Sequence, residues 1–209
     1  TTTTDTTANM PFHRIIDIVM PMELDTMDKH FPRYKEFDPL VPVWCVTPER
    51  TGGIHRFFDT SPISPSGRFL AYFQLPFEDR QPVPGDSGNV CVVDLSTGKD
   101  WVVSETCGWE PQMGANINWG AKDQELFFND VDTATWRPFA WKVDPVSGKR
   151  QQMEGSVYHA SPDGKWLISA NMTTMRKTQP GYGVRIPDET ARRNVGPADD
   201  DGFYITDTS

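Results

Sequence analysis

The sequence is short of positive charge. It has 20 Lys and Arg against 29 Asp and Glu, a formal net charge of −9 over 209 residues. Nonspecific nucleic-acid binding needs a basic face, so no nucleic-acid partner is expected. Net charge is a sum, however, and does not forbid a local basic pocket. Cysteine is scarce too: Cys45, Cys91 and Cys107 form no CxxC pair, which argues against a zinc knuckle. Three buried thiols are expected, with one disulfide plus a free thiol as the alternative. Long apolar runs are missing: Ile15–Met20 and Leu126–Phe128 are far too short to span a membrane, so no membrane association is expected. The N-terminus carries no basic segment followed by an apolar stretch, and opens instead on Thr1–Thr7, a polar tract expected to be disordered. A mature secreted chain would look the same. Walker and dinucleotide-binding glycine motifs are absent, as is the Gly-x-Ser-x-Gly nucleophile elbow. Collagen, coiled coil and acidic-tail compositions are excluded.

What is abundant is punctuation and aromatic bulk. Proline (18) and glycine (16) make about one residue in six, which suits many turns and few long helices. Seven Trp and twelve Phe can fill a sizeable core. A repeat organises them. Ser64-Pro65-Ser66-Gly67, Gly120-Ala121-Lys122-Asp123 and Ser161-Pro162-Asp163-Gly164 are turns, each followed by a short apolar strand. A second pattern follows each one. Asn89–Lys99 and Phe139–Lys149 read as a strand closed by an Asp-x-x-x-Gly-Lys hairpin turn, and Phe203–Ser209 begins it again. Two half-patterns alternating over about 40 to 55 residues, with roughly four strands per unit, describe a β-propeller blade. The expected fold is therefore all-β, with about three blades, an incomplete part of a propeller. Residues 1–50 read as an N-terminal extension, partly disordered or part of a closing blade. Residues 51–209 read as blades, the last of them truncated. The hairpin begun at Asp207 is not completed by Ser209, so the remainder of the propeller or a second copy is expected to cover the open blade edge.

Several motifs could carry chemistry. Gly85-Asp86-Ser87-Gly88 looks like a serine-protease nucleophile, but Asn89 follows it, Pro82 and Pro84 precede it, and no Ala-x-His-Cys partner lies upstream. It reads as a surface turn. Asn129-Asp130-Val131-Asp132 sets oxygen atoms at alternate positions after a strand. Asp130 and Asp132 are thus candidates for a divalent cation such as calcium, against the alternative of an Asx turn. No other cofactor is indicated. His55, Asn116, Asn118, Tyr158 and His159 stand around the starts of innermost strands, where a propeller opens on its channel. They are candidates to line one polar pocket. The long insert Thr173–Asp201 reads as a polar loop with Arg176, Lys177, Arg185, Arg192 and Arg193. It is either a solvated loop or a clamp for anionic groups, since the planar guanidinium grips carboxylate or sulfate with two parallel hydrogen bonds.

At four segments a resemblance becomes specific: His55–Pro62, Gln112–Gly120, Tyr158–Gly164 and Thr178–Val184 together resemble the propeller polysaccharide lyases. The likeness is to the seven-bladed ulvan lyases, and more distantly to the oligogalacturonate lyases and TolB-like propellers. It covers about Val43 to Ser209. The resemblance implies β-elimination on a uronic-acid polysaccharide, sulfated or not, by a secreted or periplasmic protein. In that family a His and a Tyr move the protons and an Arg neutralises the uronate carboxylate. Tyr158 and Arg176 match the Tyr and the Arg. Asn116 stands where the pattern calls for His, so His159 or His55 takes that part, or Tyr158 serves as both base and acid. His55, Arg56, Asn116, Asn118, Tyr182 and Arg185 would touch the substrate. Two alternatives remain: a noncatalytic carbohydrate- or protein-binding propeller, and the propeller domain of a larger peptidase.

Overall fold

The turns set the frame. In the computed structural model, which describes residues 24–193, 195–199 and 201–209, the Ser-Pro turns are built alike. Gly67 N–H donates to Ser64 O and Gly164 N–H to Ser161 O, both at 2.8 Å, with φ of 79° and 69° at the two glycines. Each Ser hydroxyl accepts the amide that opens the next strand, Phe69 at 3.1 Å and Trp166 at 3.0 Å. A side chain with a Cβ would strain at those positive φ values, so glycine is needed there. The hairpins repeat as well. Asp94 and Asp144 accept amides two residues on, and Gly98 and Gly148, both at φ 74°, close the turn.

Between these turns lie three antiparallel sheets, the blades of a β-propeller. The first is β1 (Gly53–Ile54), β2 (Phe69–Gln74), β3 (Gly88–Asp94) and β4 (Lys99–Thr106), paired in that order. The second repeats it with β5 (Asn118–Trp119), β6 (Leu126–Asp132), β7 (Arg137–Val143) and β8 (Arg150–Gln152). The third has β9 (His159–Ala160), β10 (Trp166–Ala170) and β11 (Phe203–Asp207). The Gly85–Gly88 motif falls at the β2–β3 connection, where Asp86 binds Arg80 and the Val83 amide.

Strand alternation sends one side of each blade forward and the other back. Phe69, Ala71 and Phe73 of β2 meet Leu126 and Phe128 of β6 in one buried cluster with Val90, Val92 and Trp109. Phe127 and Ala140 of the second blade meet Leu167 of the third in another. Full burial of such a side chain is worth about 1.5–3 kcal/mol. The rear of the first blade, at Tyr72, Cys91, Val93 and Leu95, is covered by Met27, Phe31, Trp44 and Val46. Those residues come from helix α1 (Leu24–His30) and the segment after it, which adds no strand to a blade among the described residues. The Thr1–Thr7 tract lies outside the described residues.

Three expectations are corrected. Of the three cysteines only Cys91 is buried, because only it points inward from a central strand; Cys45 is exposed in the covering segment and Cys107 is half-buried just after β4. Asn129–Asp132 does not follow a strand but is the end of β6. The insert is not a plain polar loop. It opens with helix α2 (Met172–Thr178), capped by Asn171, whose side chain accepts the Thr173 and Thr174 amides. Met172, Val184, Ile186 and Ala191 of the insert bury themselves with Val131 of β6, and Tyr158 packs beside them. Gly183, at φ 86°, permits this fold-back, since a Cβ there would lie 2.1 Å from Met172 O.

Candidate functional site

Three stretches that do not repeat from blade to blade converge at the inner strands. They are residues 55–60 after β1, residues 108–116 before β5, and the insert after β10. The Gln112 amide donates to Gly181 O at 3.1 Å, and the rings of Phe57 and Tyr182 sit 5.7 Å apart, so the insert touches both other stretches. The inner strands β5 and β9 are neighbours, which brings Asn118 against the start of the third blade.

Arg56 is the hub. Its side chain is fully buried, its guanidinium lies 4.8 Å over the Tyr158 ring, and it donates to Tyr158 O. Its other terminal nitrogen donates to Asp59 Oδ2 at 3.0 Å. The same oxygen lies 3.1 Å from His159 Nε2. Burial pushes the Asp59 carboxyl up, but Arg56 and His159 together hold it below its ordinary value. Tyr158 and His159 are in edge contact, ring centroids 5.2 Å apart. A His held by a carboxylate, beside a Tyr whose ring lies against a buried guanidinium, has the group types for proton exchange next to a positive charge.

Asn118 binds this group from the second blade, its amide donating to Tyr158 O at 3.2 Å and to Asn116 O at 2.8 Å. Asn116 is fully buried at φ 54°, and both polar atoms of its side chain lack a hydrogen-bond partner. His55 sits to one side, its Nε2 2.9 Å from Thr60 O.

Arg176 takes a different place. It is buried on helix α2 of the insert, with Nε 3.2 Å from Glu110 Oε1 and Nη1 3.1 Å from Asp188 Oδ1. Burial pushes the Glu110 carboxyl up to about 7, although Arg176 and Arg185 both pull it down. Among the described residues, every buried side-chain nitrogen or oxygen without a hydrogen-bond partner belongs to Arg56, Thr60, Glu110, Asn116, Arg176 or Arg185. All six lie in the three converging stretches. Buried polar atoms in folded proteins are nearly always partnered, so this concentration makes the three stretches the candidate site for polar groups.

Asp130 and Asp132 are spent locally. Asp130 accepts Thr106 Oγ1 at 2.8 Å, the Cys107 amide at 3.1 Å and Trp141 Nε1 at 3.0 Å, and Asp132 accepts the Ala134 amide at 2.9 Å. No group of three or more His, Cys, Asp or Glu side chains among the described residues is placed to hold a metal ion. Sequence reasoning passed over Asp59 and Glu110. Asp59 had a signal, a carboxylate three residues after Arg56 in a segment already singled out. Glu110, a lone acid between Trp109 and Pro111, had none.

No protein-family model matches the chain, and no curated protein matches it. Among solved structures it is similar to an oligogalacturonate lyase from Vibrio parahaemolyticus, at 14% identity and a TM-score of 0.46, over 66% of this chain and 35% of that one. It is also similar to TolB from Acinetobacter baumannii, at 17% identity and a TM-score of 0.38, over 63% of this chain and 29% of that one. Both are propellers, and the chain spans about a third of the length of each. The fold described above rests on the chain's own sheets and turns.

Proposed function

We propose that this chain is part of a propeller that cleaves a uronic-acid polysaccharide by β-elimination. The observation that carries the reading is the meeting of Tyr158, His159, Asp59 and Arg56 at one point of the inner strands. β-Elimination needs a cation on the uronate carboxylate, so that the proton α to it becomes acidic, together with a base for that proton and an acid for the departing glycosidic oxygen. In this reading His159, oriented by Asp59, takes the proton and Tyr158 gives one to the leaving oxygen. Arg185 supplies the charge for the carboxylate, Arg56 adds positive charge from its buried place against the Tyr158 ring, and Asn118 holds the start of β9 in place. An acidic polymer as substrate fits a secreted or periplasmic location.

The test is to incubate the protein with polygalacturonate, ulvan and alginate and follow the ultraviolet absorbance of the unsaturated uronate product. Absorbance should rise on one polymer, and Tyr158→Phe or His159→Ala should lower the rate roughly 10²- to 10⁴-fold. Polymer binding with no absorbance rise on any of them would sink the lyase reading in favour of a noncatalytic carbohydrate-binding propeller. One observation favours that second reading: Arg176, matched by resemblance to the carboxylate-neutralising Arg, is already engaged by Glu110 and Asp188.

A further inference from the structure

Glu110 has no part in the reaction just described, yet it is the most buried carboxylate of the site, its side chain 2% exposed. It comes from the stretch between β4 and β5 and faces the insert. The charged groups that act on it are Arg176 of α2, at 3.2 Å, and Arg185 further along the insert, whose charge pulls its carboxyl down. The pairing with Arg176 is imperfect, since Glu110 Oε1 and Arg176 Nε approach without hydrogen-bond alignment and neither has another partner. Arg185 Nε is buried and without a partner too. Asp188, the other acid on Arg176, differs: its side chain is 69% exposed and it also binds Lys177 Nζ at 2.9 Å.

We propose that Glu110 is the protein's own competitor for Arg176 and Arg185, so that an anionic ligand binds there only as Glu110 takes up a proton. The uronate class of the ligand rests on the function proposed above; the competition does not. Two carboxylates facing buried Arg176 and half-buried Arg185 repel each other, and one of them must be neutralised. Asp188 is held below its ordinary value, by Lys177 first and then by Arg176, and stays ionised. The ligand carboxylate is acidic and stays ionised as well. Glu110 is already close to neutrality through burial and accepts the proton from solvent. Glu110 is then a specificity-determining residue that ties anion affinity to pH.

The experiment is calorimetric titration of the protein with two probes, trigalacturonate and inorganic sulfate, in buffers of different ionisation heat from about pH 5 to about pH 9. For the wild type, affinity should fall by up to about tenfold per pH unit on the alkaline side of neutrality, with proton uptake visible as a buffer-dependent heat. Glu110→Gln should bind with pH-independent affinity and without proton uptake. Glu110→Asp, which keeps the charge, should keep a pH slope, and Asp188→Asn should leave the slope unchanged. Binding with no slope in the wild type, or a slope that survives in Glu110→Gln, overturns the proposal and leaves the uronate reading standing. Sulfate binding with the Glu110-dependent slope but no trigalacturonate binding upholds the proposal and overturns the uronate reading. Failure to bind either probe overturns both.

Discussion

Asn129 offers a direct test of how the second and third blades are joined. It lies in β6, completely buried, and its carboxamide pairs with the Val157 peptide on both sides. Its Nδ2 donates to Val157 O at 2.8 Å and its Oδ1 accepts the Val157 amide at 2.7 Å. The side chain thus does the work of one more strand residue at the seam. Asn129→Ala leaves a buried N–H and a buried C=O without partners. At about 1–3 kcal/mol for each abandoned group, the loss should be about 4 kcal/mol. That is a large share of the ~5–15 kcal/mol typical of a folded domain. Urea unfolding followed by circular dichroism should show the midpoint falling by about 2 M, given a slope of about 2 kcal/mol per molar. Asn129→Asp keeps the acceptor but sets a carboxylate against Val157 O, so its loss should deepen as pH rises above the carboxyl's pKa. A midpoint shift below about 0.5 M for Asn129→Ala would refute the reasoning, because the Val157 groups would then be satisfied elsewhere.

Two further outcomes follow from the same structure. The Glu110 carboxyl is raised from 4.5 to about 7 by burial, so the folded state is favoured while Glu110 is protonated and loses that advantage as pH rises through this interval. Relative to Glu110→Gln, wild-type stability should therefore drop by on the order of 3 kcal/mol between about pH 4.5 and pH 8, with the other acids cancelling from the difference; chemical denaturation of both proteins across that range measures it, and parallel curves would contradict it. On the forward side of the third blade Ile168 pairs with Ile205, 40% and 69% exposed, beside Trp166. Ile205→Lys should reduce concentration-dependent self-association in light scattering while changing unfolding free energy by no more than about 0.5 kcal/mol.

The parts of the fold legible in the sequence were those fixed by local stereochemistry. Pro, Asp and Gly at set spacings admit few turn types, which is why Ser64–Gly67 and Ser161–Gly164, and likewise Asp94–Gly98 and Asp144–Gly148, fold alike. Helix α2 could not be read this way. Met-Thr-Thr-Met-Arg-Lys-Thr is only seven residues, too few to hold a helix alone despite its Met, Arg and Lys, and the helix depends on the Asn171 cap and on Met172 meeting Val184 and Ile186 from farther along the chain. The same limit hid Glu110, whose partners Arg176 and Arg185 lie more than sixty residues away, and the pairing of Asp59 with His159, a hundred residues on.

Where the site falls explains why it was half legible. The strand positions of successive blades correspond: Ser64, Gly120 and Ser161 each donate an amide to the residue five places on, which aligns Phe69, Glu125 and Trp166. Residues inside that register pack one blade on the next and are interchangeable in kind, as Ala71 and Phe127 are on their forward faces. Chemistry needs unlike groups at one point, and a strict repeat can only set like groups side by side. The polar cluster is accordingly drawn from departures from the repeat: the loop holding Arg56 and Asp59, the stretch holding Glu110 and Asn116, and the insert holding Arg176 and Arg185. Periodicity shows where each departure begins. That they meet follows from the stacking of the blades, which sets β5 beside β9 and carries the Arg56 guanidinium of the first blade onto the Tyr158 ring of the third.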